Sequence, residues 1–194
     1  MHYVWKKEQR NNRRIAYIVL ILCSWGCVGE PADTEKLTEI VIPASYLQFA
    51  GADAEDTAES YREYCTDSEV RDTDVVLEVT DSQKDNIIQM NQDFIERTLD
   101  EFKDGNPEYL YELADDYSSI VYAYDEKIDA SLQAQLLMGV TSMYALNGII
   151  ENNTSEWSVE IAIENCHTGK TVAHGILPED TVSFGESEWR ESYE

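Results

Sequence analysis

Bases are scarce in this sequence. Lysine and arginine number 14 against 39 aspartates and glutamates, a formal net charge of -25. Five of the 14 bases (Lys6, Lys7, Arg10, Arg13, Arg14) and one of the 39 acids (Glu8) fall in the first 26 residues, which leaves 9 bases against 38 acids, net -29. So negative a balance argues against charge-driven binding to nucleic acid or to an anionic membrane face and allows cationic or metal-ion partners, but its ordinary role is to keep a surface soluble and repel copies of itself. Histidine is rarer still, at three residues. No Ser/His/Asp order can be built from so few, and no Gly-x-Ser-x-Gly elbow is present. The segment TGKT at 168–171 resembles the end of a phosphate-binding loop. Glu164 stands where that loop requires glycine, and a strand pattern follows where it requires a helix, so the segment is a turn.

Long apolar runs are also few. Residues 15–23, IAYIVLILC, are too short for a comfortable bilayer span of about 20 residues. They follow a basic stretch, MHYVWKKEQRNNRR, and precede SWGC, which is the order of a secretory signal. Cys27 follows small Gly26 where a lipoprotein leader carries its lipidated cysteine, and Cys23 is a poorer alternative. The expected organisation is a signal peptide and anchor at 1–27, a polar tether at 28–38, one domain at 39–184 and an acidic, loose tail at 185–194. A diacylated Cys27 would hold the protein on the outer face of a cell membrane.

The second run, Ser131–Ile150, carries no charge. Its apolar side chains go almost round a helical projection, which calls for burial, and Gln133, Gln135, Thr141, Ser142 and Asn147 argue for a protein core over a bilayer. Around it the pattern alternates strand and helix. EIVIPA at 39–44 and VVLEV at 75–79 read as strands. Asp53 caps a short exposed helix. Thr80 and Gln83 have capping-box spacing ahead of a helix expected to reach Lys103, where Asp104-Gly105-Asn106-Pro107 stops it. SIVYAY at 119–124 is a strand, and 109–117 is an aromatic connection with room for a helical turn. Trp157 to Ile163 alternates cleanly and turns at Cys166–Lys170 into a return strand, Thr171–Leu177. The expected fold class is α+β: a two-layer sandwich with a mainly antiparallel sheet of about 4–5 strands, covered by two long helices.

Cys65 and Cys166 are the only cysteines outside the leader. In an exported protein they suggest one disulfide, closing a loop of about 100 residues and stabilising by up to ~4.7 kcal/mol in the chain-entropy picture. With His167 and His174 they could instead make four zinc ligands, but at no standard module spacing. Asp53-Glu55-Asp56 and Asp72-Asp74 lack the glycine and terminal glutamate of a calcium loop, so solvated acidic turns are the simpler reading. No metal or cofactor site is expected. Tyr109, Tyr111 and Tyr117, with Tyr122 and Tyr124 behind them, are a candidate binding face, although core and sheet packing is the ordinary role of tyrosines so placed.

EIVIPASYL, VTDSQKDNIIQMNQDFIERTLDEF, LLMGVTSMYALNGI and VEIAIENCHTGKTV together resemble small acidic secreted lipoproteins of Gram-positive gut bacteria. The resemblance implies an envelope location and brings no activity, catalytic residue or cofactor. The function expected is a non-enzymatic envelope domain that binds a protein or a small molecule. A hydrolase using two carboxylates, whose spacing in sequence is unconstrained, and a metal-ion-binding module are the alternatives.

Overall fold

The computed structural model describes residues 35–194. Cys27, the leader and most of the tether lie outside the described residues. The elements in order are β1 (Thr38–Ile42), α1 (Ala44–Ala50), α2 (Ala54–Tyr61), β2 (Asp67–Arg71), β3 (Asp74–Val79), α3 (Asp81–Lys103), β4 (Leu110–Leu113), β5 (Ser119–Tyr124), α4 (Ala130–Ala134), a π-helical segment (Gln135–Val140), α5 (Thr141–Asn152), β6 (Val159–Asn165), β7 (Thr171–Leu177) and α6 (Glu186–Ser192).

The fold is α+β, and its strands divide between two sheets. One has the order β1-β3-β2, antiparallel throughout; the other has the order β4-β5-β6-β7. In the second sheet β5 and β6 run parallel, with Ile120 opposite Ile161 and Tyr122 opposite Ile163, while the flanking pairs are antiparallel. A parallel pair needs a long crossover, and here it is the helical stretch of α4, the π segment and α5, which carries no charge before Glu151. This connection explains why the stretch is apolar nearly all round. α5 packs along α3 and against β1 of the first sheet. Its Thr141 hydroxyl lies 3.3 Å from the Tyr122 hydroxyl of the second sheet. Enclosed by strands of both sheets, it buries Thr141, Ser142, Asn147 and Gly148 along with its apolar side chains. Each fully buried Ile or Leu, such as Ile149 or Leu136, is worth about 1.5–3 kcal/mol of burial.

Local signals set the ends of the elements. Asp53 caps α2 by accepting from the amides of Glu55 and Asp56. Thr80 and Gln83 form a reciprocal capping box at the start of α3, which ends at Lys103. Asn153 (φ 47) takes the left-handed cap after α5, so Gly148 lies inside the helix and not at its end.

Three expectations are corrected. Residues 110–113 form edge strand β4, paired with β5, in place of a helical turn. α1 and β2 occupy stretches with no assigned element, and β2 (DSEVR) shows no apolar alternation because it is an edge strand. The acidic tail is not loose: Trp189 of α6 is 6% exposed and packs on Tyr124 and Phe184. Asn165 donates to the Ser192 hydroxyl (2.8 Å), and Thr168 donates to the Ser192 carbonyl (2.8 Å).

Candidate functional site

An apolar cleft lies where the crossover helix leaves regular α geometry. π-helical turns are uncommon and recur at functional sites. The cause here is visible in the hydrogen bonds. The Leu136 carbonyl accepts the Thr141 amide five residues on. It also accepts the Thr141 hydroxyl (3.1 Å) and the Tyr122 hydroxyl (3.2 Å). Gly139 lets α3 come close, since a Cβ there would sit 3.1 Å from the tip of the Phe94 ring.

On the widened turn Leu137 is half-buried against the core, and Met138 is 49% exposed. Beside them a cleft of about 460 Å³ opens against the β6–β7 hairpin, with Phe49, Ile161, Leu177 and Val182 on its other walls. That volume lies in the range of small-molecule sites. Gly175 allows the 178–182 loop to fold over β7, because a Cβ would fall 3.0 Å from Val182 Cγ2. Among the described residues Asp180 is the one charged residue lining the cleft, and its carboxylate accepts the Ile176 amide (2.8 Å). A second cleft of about 390 Å³ lies between α1, α2 and the same helix, lined by Tyr46, Ala50, Tyr61 and Met143. Met138 borders both clefts. A thioether with three rotatable bonds at that divide can repack to suit what enters.

The parallel strands bring a second group together at their carboxyl ends, a usual place for chemistry in parallel sheets. Asp125 follows β5, and Cys166 and His167 follow β6. Asp125 accepts the Tyr109 hydroxyl (2.9 Å) and the Lys127 amide (2.8 Å), and His167 lies 3.5 Å away. Burial pushes the Asp125 carboxyl up, but the hydrogen bonds from Lys127, Tyr109 and His167 outweigh it and hold the group below the ordinary carboxylate value. Burial pushes the Cys166 thiol up, and the nearby Asp125 and Glu108 charges add to that. A nucleophilic thiol needs the opposite surroundings. The cluster therefore fastens the turn after β6.

The sequence candidates are dispersed. Cys65 and Cys166 are both free thiols, so the expected bridge is absent. Cys65 donates to the Tyr61 carbonyl (3.0 Å) beside the first sheet, while Cys166 belongs to the second. His174 pairs with Glu160 across the hairpin (2.7 Å), away from His167. Among the described residues, no three His, Cys, Asp or Glu side chains gather as a metal cage. Asp53 is used as a helix cap, and Asp74 accepts the Ala44 amide (2.8 Å). The tyrosine face also separates. Tyr109 is 4% exposed and packs at a tilt against Phe102 and Tyr124 in the core. Tyr111 lies on β4 under the Lys103 ammonium. It also borders a small recess beside Glu112 and Glu164, while Tyr117 borders a different one, together with the exposed acids Glu96 and Asp115.

No protein-family model, curated protein or solved structure matches the chain. Among the described residues no helix is long and apolar enough to cross a membrane.

Proposed function

We propose that this is a lipoprotein held by Cys27 on the outer face of a cell membrane, and that its folded part is a non-enzymatic binding domain. The cleft beside the π segment carries this reading: its walls are apolar, it has one carboxylate, and the half-exposed Met138 stands at its mouth. The ligand is a small apolar molecule that is neutral or cationic, because Asp180 and the surrounding negative charge oppose an apolar anion. The carboxylate-hydrolase alternative has less support: of the acid pairs that share a recess, Glu96 and Asp115 are both exposed, as are Asp116 and Glu156, and Glu112 of the Glu112–Glu164 pair is exposed too.

The test uses N-phenylnaphthylamine, a neutral apolar dye, titrated into the full chain. Its fluorescence should rise and saturate, and Trp157, whose ring lies 5.5 Å from Phe49 at the cleft wall, should report the same event. Met138→Asp places a charge at the mouth without disturbing the core and should abolish the rise. An unchanged response in that variant would refute the cleft as the site. Mass spectrometry of the mature N-terminus tests the anchor, and an intact Met1 would refute it.

A further inference from the structure

A second recess lies on another part of the molecule, between α3, the β4–β5 turn and α5. Its volume is about 300 Å³, the lower end of ligand-site sizes. Gln92, Glu96, Asp115, Tyr117, Tyr144 and Asn147 supply its polar and aromatic lining. Asn147 is fully buried in the middle of α5. Its amide oxygen accepts Asn91 (2.8 Å), and its amide nitrogen has no partner among the described residues. Turning both amides over exchanges their roles and leaves the Asn147 oxygen alone instead. In either orientation one end of a buried amide at the recess floor is unsatisfied, a cost of about 1–3 kcal/mol.

The backbone is shaped around this place. Tyr117 has φ 61, a left-handed conformation unusual for an aromatic residue. Its Cβ comes so close to α5 that a Cβ on Gly148 would lie 2.9 Å away. Its ring sits 5.2 Å from that of Tyr144, whose hydroxyl is anchored on the carbonyls of Ala114 and Ser119. Among the described residues no lysine or arginine lines the recess.

We infer that this recess is a binding site for a single sugar ring, neutral or basic, held by Asn147 at the floor and by Glu96 and Asp115 at the rim. A hydroxyl both donates and accepts, so it satisfies Asn147 in either amide orientation. Further hydroxyls, or an ammonium, donate to the two carboxylates. The half-buried Tyr117 ring, backed by the buried Tyr144, offers apolar surface to the C–H face of a sugar. The same carboxylates oppose a uronic acid. This site does not depend on the apolar cleft, and either can fail without the other.

The experiment titrates isotope-labelled full chain with glucose, glucosamine and glucuronate, following the side-chain amide signals of Asn147. Glucose and glucosamine should shift those signals saturably, with glucosamine about tenfold tighter, as a charge-assisted contact provides. Glucuronate should leave them in place. Glu96→Gln with Asp115→Asn, both at exposed positions, should erase the glucosamine preference while keeping the fold. The inference is overturned if no sugar shifts Asn147 at millimolar concentration. It is equally overturned if glucuronate and glucosamine act alike, because the rim then selects nothing.

Discussion

The Tyr122 hydroxyl, on the middle of a buried strand, reaches 3.2 Å to the Leu136 carbonyl in the crossover helix, and Thr141 shares the same acceptor. One carbonyl turned toward three donors is what the π segment is built on, and that segment sets Leu137 and Met138 against the apolar cleft. Tyr122→Phe removes one donor and keeps the ring packing. The expected loss is about 1 kcal/mol, read as a lower urea midpoint with unchanged slope. Tyr122→Phe with Thr141→Val should cost more than the sum of the two, since each then lacks its substitute. Dye uptake should fall in the double variant although neither residue lines the cleft. Strict additivity together with unchanged uptake would count against this account of the turn.

Gly139 and Gly148 make a sharper comparison, because both lie in the crossover helix and differ in what a methyl group would meet. At Gly139 the neighbour is the tip of the partly buried Phe94 ring, 3.1 Å away, which can swing aside. At Gly148 it is the Tyr117 Cβ at 2.9 Å, on a backbone already in a left-handed conformation. Alanine gains up to about 1 kcal/mol in helix propensity at either place. Gly139→Ala should therefore be close to neutral. Gly148→Ala should destabilise by about 1–3 kcal/mol, since overpacking there outweighs propensity. Thermal unfolding of the two variants side by side decides the point, and equal midpoints would contradict it.

These contacts also mark what a reader of the sequence can and cannot reach. The capping box of Thr80 and Gln83, the alternation of β6 and the charge-free helix are legible because each depends on residues close in sequence. The division into two sheets is not, since the side-chain pattern of β3 shows an apolar strand without naming its neighbours. The π turn hangs on a hydroxyl 14 residues from its acceptor. α6 is polar at six of its seven positions, and the single Trp189 that docks it is a weak signal among those neighbours. Tyr117 stands out in the sequence, whereas Asn147 reads there only as a reason to doubt a membrane span. Its unsatisfied amide becomes visible once Asn91 is seen to take just one end of it.

The buried tyrosines give stability a defined alkaline limit. Burial pushes Tyr124 and Tyr144, and the half-buried Tyr61, up to about 12 from an ordinary 10.0, and Tyr122 is raised further by the same cause. A folded value above the unfolded one means that the unfolded chain loses its protons first. The stabilisation is complete below pH 10 and drains away as pH rises from there through the folded values. Phenolate absorbance should accordingly appear in two phases, exposed tyrosines first and the buried set together with loss of circular dichroism. A single gradual phase with structure intact would show that the buried rings ionise freely.

The two thiols distinguish this fold from the disulfide-closed version that an exported chain would suggest. Cys65 is buried at the end of α2 and Cys166 is partly buried after β6, and both are free. Burial raises both thiols, and the Asp67 charge adds to it at Cys65. Little thiolate is present at neutral pH, so alkylation of the native protein should be slow at both positions, and faster at Cys166 because it is the more accessible. In denaturant without reductant, peptides containing Cys65 and Cys166 should each carry the full label in mass spectrometry. Adding reductant should change neither yield. Recovery of a cross-linked pair of those peptides would mean that the chain closes its long loop covalently, and that the surroundings of α2 and of the turn after β6 differ from those described.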